Sequence, residues 1–538
     1  MLHTIFLLLF IVFLGVKGSV PEVFLNLYFP DSLAPRNQSL DSEEEERSRL
    51  DNALDELETL LRGSIWKRDA LIGFLLEHGQ SNRVSELGPI VVPRATIPGE
   101  ARMGLTPPAV SFLKKIFPTV RIIVEKGAGV NRYTNEVYYT DKEYRTAGAD
   151  VLSEGEFFDS VGQLERKMIV SIKEPAINEE LGRDEFQLIR GALLYTYLHF
   201  ADLPDTLKKV LSSAFGSIAY ETISLNEEGV TMTPVLKPAS EAAGWLSAVR
   251  YAVFVKHNNR SWSEEERDRQ LDNQFSSNIQ SYPAIPPDLE GALNGKKVVV
   301  LGGGVAGENA AVALAKMGAQ VTITEVNSSR IKKLEEKFKQ EKFNDGSIKI
   351  LFRENPGTSI QESKEDSEIL EALKGANGII GAILLPGGKA PVEIDESLYS
   401  ELVRGENLEF IADIATDQGG NIETPEPFDG IKHKYSDGWV VRNGVVEFIV
   451  TNMPSALSKQ VSQGLDRAKL VYLIAILRVG LEKAIECFPE LGLGVNTLGE
   501  EVVNERVAGT ANHPWPPRNG FRSSASNPGS VVESLQSL

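Results

Sequence analysis

Four polar residues and one run of glycines are the parts of this sequence able to do chemistry. Arg102, in IPGEARMGLTPP, carries the planar fork of donors that holds a carboxylate in a fixed orientation. Lys173 ends the strand-like MIVSIKEP at a Glu-Pro turn, and His199 ends the β-prone run LLYTYLHF. Histidine is the side chain whose unperturbed pKa, about 6.5, suits proton exchange near neutral pH, and this chain has only 6. Asp417 lies in IADIATDQGG, beyond a strand. Taken singly, each also has a structural explanation: an exposed arginine, a strand-end lysine, a histidine at the core edge, an aspartate capping a glycine turn.

The glycine run is more specific. In VVVLGGGVAGENAAVALAKMGAQVTITEVN, Gly302, Gly304 and Gly307 match G-x-G-x-x-G between an apolar strand and a helix, with Val305 and Ala306 inside the motif. The first glycine permits the tight turn and the second lets the backbone approach a pyrophosphate. The third allows helix and strand to pack closely, and the helix N-terminus stabilises phosphate charge. Glu325 ends the next strand, where its carboxylate accepts hydrogen bonds from the adenosine ribose and repels a 2′-phosphate. NAD is therefore the expected cofactor, with NADP the lesser option that Arg330 and the lysines after it leave open. Asn327-Ser328-Ser329 is a glycosylation sequon at the adenosine end, where a glycan would obstruct the cofactor.

Two sets of alternating strand and helix signals must position these residues. IVVPR, VRIIVEKG, KMIVSIKEP and GSIAYETISL read as strands of a first set. KKVVVLGGG, QVTITEV, SIKILFR, GIIGAILL and LEFIADIAT read as strands of a second, beginning near residue 296. The expected class is α/β: two Rossmann-like lobes with mostly parallel sheets and the active site in the cleft between them. The long helical patterns SEAAGWLSAVRYAVFVKH and SKQVSQGLDRAKLVYLIAILRVGLEKAIECF join the lobes. The expected division is a substrate domain of residues 88–238 plus 452–510 and a Rossmann domain of residues 240–451. With 538 residues and a net charge of −19, the chain is long enough for several domains and is a poor partner for nucleic acid or anionic lipid. Its single cysteine, Cys487, excludes an intramolecular disulfide and Cys-based zinc sites, and no metal is expected.

The two ends stand apart from this pattern. Residues 1–18 contain the apolar stretch Ile5 to Val16, the length of a signal-peptide core and short for a spanning helix, so they read as a signal peptide or a membrane tether. The catalytic body nevertheless reads as intracellular, cytoplasmic or organellar. Residues 41–80 read as a helical extension with Leu50, Leu54, Leu57 and Leu61 on one stripe. Residues 511–538, rich in Pro, Ser, Gly and Asn, read as a disordered tail.

RMGLTP, SIKEP, TYLHF, VVVLGGGVAG, GAILLPGGKAP, DIATDQGGNIET and IVTNMP, in this order, resemble the alanine dehydrogenase and pyridine nucleotide transhydrogenase family from about Ile90 to about Ile485. The histidine of TYLHF points to the alanine dehydrogenase branch, since hydride passing between two nucleotides needs no acid-base residue. The resemblance implies that Arg102 pairs with the substrate carboxylate and that Lys173 bonds the carboxylate and the carbonyl oxygen. It implies that His199 is the general acid and base, and that Asp417 positions amine and water. Ser240 in KPASEAAG, Leu384 and Leu385 in LLPGGKAP, and Asn452 and Met453 in VTNMP correspond to segments that contact cofactor or line the cleft. The implied reaction is the reversible, NAD-dependent oxidative deamination of L-alanine to pyruvate and ammonium. Its partners are small amino and 2-oxo acids, and its assembly a homo-oligomer such as a hexamer. A transhydrogenase-like subunit, a saccharopine-type reductase and a catalytically silent NAD-binding module stay open as alternatives. The chain departs from the family pattern at residues 258–291, expected as a polar surface insertion, and at SALSKQVS, where Lys459 stands near the usual arginine.

Overall fold

A computed structural model describes residues 83–257, 273–354, 360–423 and 440–510, apart from Pro98, Tyr133, Asn344, Asp345, Glu362 and Pro386, together with Phe74, His78, Gln270 and His513. The N-terminal apolar segment, nearly all of the helical extension and, but for His513, the 511–538 tail lie outside the described residues.

The first sheet contains three runs of Val, Ile and Met expected as strands, β1 (Ile90–Val92), β2 (Ile122–Glu125) and β4 (Lys167–Val170), and one short strand not anticipated, β3 (Asp150–Leu152). A small hairpin, β5 (Ile177–Asn178) and β6 (Arg183–Asp184), leads to β7 (Ala192–Thr196) and β8 (Gly216–Ala219). A second hairpin follows, β9 (Leu225–Glu227) and β10 (Val230–Met232). The strand order is β3-β2-β1-β4-β7-β8, all parallel, extended at the far edge by two late antiparallel strands, β18 (Val495–Leu498) and β19 (Glu501–Val502). β1, β4 and β7 are buried along their whole length, which is why they read as unbroken apolar runs without alternation.

The second sheet contains β11 (Lys297–Leu301), β12 (Gln320–Glu325), β13 (Ile348–Phe352), β14 (Gly378–Gly381), β15 (Phe410–Asp413), β16 (Val440–Arg442) and β17 (Val445–Phe448). Its order is β13-β12-β11-β14-β15-β17-β16, parallel except for the β16–β17 pair. In both sheets the order reverses beside the first strand, between β1 and β4 and between β11 and β14. Ligands bind at such a reversal, outside the carboxyl ends of the strands.

Five helices matter for the site: α1 (Pro107–Ile116), α2 (Lys237–His257), α3 (Val305–Lys316), α4 (Ser328–Gln340) and α5 (Ser458–Val479). α2 and α5 run through the core between the sheets, with residues 470–477 of α5 and 242–254 of α2 buried on every side. A helix buried all round shows no amphipathic stripe. The pattern expected as one long helix to Phe488 is broken at Gly480, whose φ of 82° takes the chain out of α5 before a second short helix, Leu481–Cys487.

The stretch 258–291 is not simply a polar excursion, because its described part packs inward. Phe275, Ile279 and Leu289 are buried. Phe275 lies under the guanidinium of the buried Arg250, 4.4 Å from carbon to ring centre, and Tyr282 meets Trp245 edge-on. An apolar residue every few positions was enough to anchor a segment that reads as acidic and polar overall.

Candidate active site

A cleft of about 730 Å³, part of it open to solvent, lies where both sheets end. Its walls include Arg102, Lys173, Tyr197, His199 and Glu221 from the first lobe, and Ser240 from α2. Ala306, Leu384, Ala415 and Gln418 come from the second lobe, and Asn452 and Met453 from the returning chain.

The substrate-side residues sit just beyond their strands rather than at the ends of them. β4 stops at Val170 and β7 at Thr196, so Lys173 and His199 lie in the loops that follow. The reason at His199 is its backbone: φ is 46°, the left-handed region that no strand residue adopts. Glu221, itself buried, holds that turn by accepting from the His199 N–H at 2.8 Å and the Leu198 N–H at 3.1 Å. The ring lies near-parallel to Tyr197, and Nδ1 is 3.0 Å from a Glu174 oxygen. That contact makes Nδ1 the donor to a carboxylate and leaves Nε2 as the nitrogen for proton exchange. Burial and the charge of Lys173 oppose protonation of His199, yet Glu174 and Glu221 outweigh them and its pKa is raised. Burial acts to raise the Glu174 pKa, but its bond to His199 and the charges of His199 and Lys173 bring it below the usual carboxylate range.

Arg102 is buried and held in one orientation. Its Nε and Nη2 grip Glu100 at 3.0 and 2.7 Å, and Nη2 also donates to the Asn452 side-chain oxygen at 2.5 Å. Glu100 is buried, which alone raises a carboxyl pKa, but Arg102 and Lys173 pull it down to about 2. The loop carrying Arg102 is tied to α5 and the turn before it. Ala101 N–H donates to Ser455 Oγ and Met103 N–H to Ser462 Oγ. Thr106 donates through both N–H and hydroxyl to Asp466, while Lys469 donates to the Gly104 carbonyl. The departure SALSKQVS thus supplies Ser455 and Ser462 as anchors of the arginine loop. Asn452 sits at φ 65°, and its Nδ2 is buried without a hydrogen-bond acceptor.

On the other wall, β11 runs into Gly302 at φ 95° and then into α3, whose cap is Gly304. A Cβ on Gly307 would lie 1.9 Å from the Gly302 carbonyl, whereas one on Gly304 would meet nothing within 4 Å. The first closeness lets helix and strand pack; the second leaves open space over free helix N–H groups, the setting a pyrophosphate fits. Glu325 accepts from Gly303 N–H at 3.2 Å and from Val326 and Asn327 N–H at 2.8 Å each. At Gly303, which the motif treats as a free position, a Cβ would lie 2.7 Å from Leu334 Cδ1 and 2.8 Å from Glu325 Oε2, so those two side chains would have to shift to admit one. The residues present therefore fit a dinucleotide.

Of the residues anticipated from sequence, Arg102, Lys173, His199, Ser240, Ala306, Leu384, Asn452 and Met453 line one cleft. Leu385 is exposed and is not among its walls. Asp417 lies in the short turn Thr416–Gln418 directly after β15; its side chain is outside the described atoms, while its neighbours Ala415 and Gln418 face the cleft. Sequence reasoning missed Glu100, Glu174 and Glu221. For Glu100 and Glu174 the one available signal was their place beside a singled-out residue, in GEAR and KEP; Glu221, in YET, had none. Among the described residues no group of three or more His, Cys, Asp or Glu side chains could hold a metal ion, and no helix is long and apolar enough to cross a membrane.

Residues 91–243 match the alanine dehydrogenase/PNT N-terminal domain, and residues 286–505 match its C-terminal domain. The alanine dehydrogenase of Staphylococcus haemolyticus is 31% identical over 420 residues, 78% of this chain and 95% of that protein. That of Methanococcus maripaludis is 31% identical over 431 residues, 80% of this chain and 98% of its own length. A solved L-alanine dehydrogenase structure, 28% identical, covers 79% of this chain and 99% of that one with a TM-score of 0.55. On sequence and on architecture alike, the chain belongs to the alanine dehydrogenase/PNT family.

Proposed function

We propose that this protein is an NAD-dependent oxidoreductase that oxidatively deaminates L-alanine to pyruvate and ammonium, reversibly. The observation that carries the reading is the His199–Glu174 pair, placed in the same cleft as the buried Arg102 and the start of the glycine-loop helix. A nucleotide-binding site alone needs no such base, and a transhydrogenase-like subunit would have no use for one.

Each residue has a physical task. Arg102, fixed by Glu100 and Asn452, presents its guanidinium to the substrate carboxylate. Lys173 bonds the carboxylate and the carbonyl oxygen of the 2-oxo acid. A bound nicotinamide cofactor would supply the acceptor for the hydride that leaves the substrate Cα. His199 Nε2 takes the amine proton, and Glu174 stabilises the imidazolium that results. Asp417 positions the amine and the water that adds to the imine, and the carbinolamine so formed collapses to the 2-oxo acid with loss of its nitrogen as ammonium. The glycine loop, Val305, Ala306, Ser240, Glu325, Leu384, Asn452 and Met453 form the cofactor side. The same reading divides the chain into a substrate lobe of residues 88–238 plus 452–510 and a cofactor lobe of 240–451. The family resemblance supports a homo-oligomer, which sedimentation of the full chain would measure.

The direct test follows NADH absorbance with pyruvate plus ammonium, and NAD with L-alanine in reverse, using the full chain and His199→Ala. We expect turnover to fall about 10²- to 10⁴-fold in the variant, the scale of losing a general base, with NADH binding retained. Tight NADH binding without turnover on any small 2-oxo acid would sink the proposal.

A further inference from the structure

Three cations lie on one stripe of α4, the helix that starts three residues after Glu325: Arg330, Lys333 and Lys337. A cation at this place is what receives an adenosine 2′-phosphate when a Rossmann site takes NADP. Here all three are already engaged. Arg330 Nη2 pairs with Glu308 Oε2 at 2.5 Å, and its Nε donates to the Gly303 carbonyl at 2.6 Å. Lys337 pairs with the other oxygen of the same Glu308. Lys333 lies across the cleft edge from the β9–β10 hairpin, donating to the Glu227 carbonyl at 3.2 Å with Glu228 at 3.7 Å.

Glu308 is the residue after the last glycine of the motif, in the first turn of α3, and only 8% of it is exposed. A carboxylate there is unexpected on phosphate grounds alone, because it sits at the helix end that should attract a pyrophosphate. Its two cations explain it: they neutralise Glu308, and Glu308 in turn occupies them. We propose that Glu308 is a second coenzyme-selecting residue, which works with Glu325 by denying a 2′-phosphate the cations that would receive it. The inference rests on the NAD reading above. Glu325 acts by direct repulsion and Glu308 by withholding attraction, so the two effects are coupled. Removing Glu325 alone leaves Arg330 and Lys337 still held; removing Glu308 alone frees them beside a carboxylate that still repels.

The test is calorimetric binding of two probes, adenosine 2′,5′-bisphosphate and 5′-AMP, to the full chain. The variants are Glu325→Ser, Glu308→Gln and the two combined. The combined variant should bind the bisphosphate about tenfold more tightly than the product of the single effects predicts, the scale of one new charge-assisted contact. Adding Arg330→Ala should remove that gain, and raising the salt should shrink it. Glu308→Asp, which keeps the charge on a shorter stem, should gain less than Glu308→Gln and stands in if the glutamine variant fails to fold. Single effects that simply multiply, or a gain indifferent to Arg330, would overturn the role of Glu308 while leaving the NAD reading intact. A wild-type chain that binds the bisphosphate as well as AMP, or binds neither, overturns the NAD reading and this inference with it.

Discussion

The imidazole of His199 is pulled two ways. Burial and Lys173 oppose its protonation, while the hydrogen bond and charge of Glu174, with Glu221 behind, favour it enough to raise its pKa. Deamination needs the neutral ring, so kcat/KM for L-alanine should rise with pH through that raised value. Glu174→Gln removes the bonded charge and leaves burial and Lys173 dominant, so the acidic limb should move to lower pH. The plateau should fall about ten- to a hundredfold, because the imidazolium formed during proton transfer loses its partner. A pH–rate profile checks both, and a limb that stays in place would show that Glu174 does not govern the base. Much of this was legible from the residues: Arg102, Lys173 and His199 do meet in one cleft. The carboxylates were not, because a buried charge declares itself only through what surrounds it. Glu100 and Glu174 look like ordinary glutamates in the sequence, and Glu221 lies 22 residues from the histidine it holds.

At the scale of elements, the strand runs were readable because parallel strands buried on both faces are continuous apolar segments. What joins the elements was less so. Ser455, Ser462, Asp466 and Lys469 all bond to residues 101–106, roughly 350 positions earlier, and no local pattern announces that pairing. The sequon residue Asn327 is a second case. Its Oδ1 caps α4 by accepting from Ser329 and Arg330 N–H, and its Nδ2 donates to the Gly229 carbonyl at 2.6 Å, strapping the β9–β10 hairpin to the second lobe. A glycan on Nδ2 would displace that contact. Asn327→Asp keeps the cap and loses only the strap, whereas Asn327→Ala loses both, including about 1 kcal/mol of capping. Hydrogen exchange should therefore speed up at residues 225–232 in both variants, while the first turn of α4 loosens only in the alanine variant. Protection of the hairpin unchanged in Asn327→Asp would mean that the strap contributes nothing.

The whole molecule depends on how closely α2, the helix between the lobes, approaches the glycine-loop helix α3. The approach occurs at Gly244, which the sequence shows only as one small residue in a long helical run. A Cβ there would lie 2.0 Å from the Ala306 carbonyl and 3.0 Å from the Ala310 nitrogen, both backbone atoms that cannot swing aside. Gly244→Ala would ordinarily stabilise a helix by up to about 1 kcal/mol through propensity. Here the methyl must push α3 away from α2, and overpacking of that kind costs about 1–3 kcal/mol. The displaced end of α3 is the one that forms the cofactor wall, so the damage should appear twice. The thermal midpoint should fall by a few degrees, and saturating NADH, which adds about 2.7 kcal/mol to the wild type at a hundredfold excess over Kd, should restore less of it at the same concentration because affinity has dropped. Thermal unfolding of both proteins with and without NADH decides the matter. A stabilised Gly244→Ala would mean the two helices can separate freely and that the lobes are not packed through this contact. An equal NADH shift in both would mean that α3 reaches its binding geometry independently of α2.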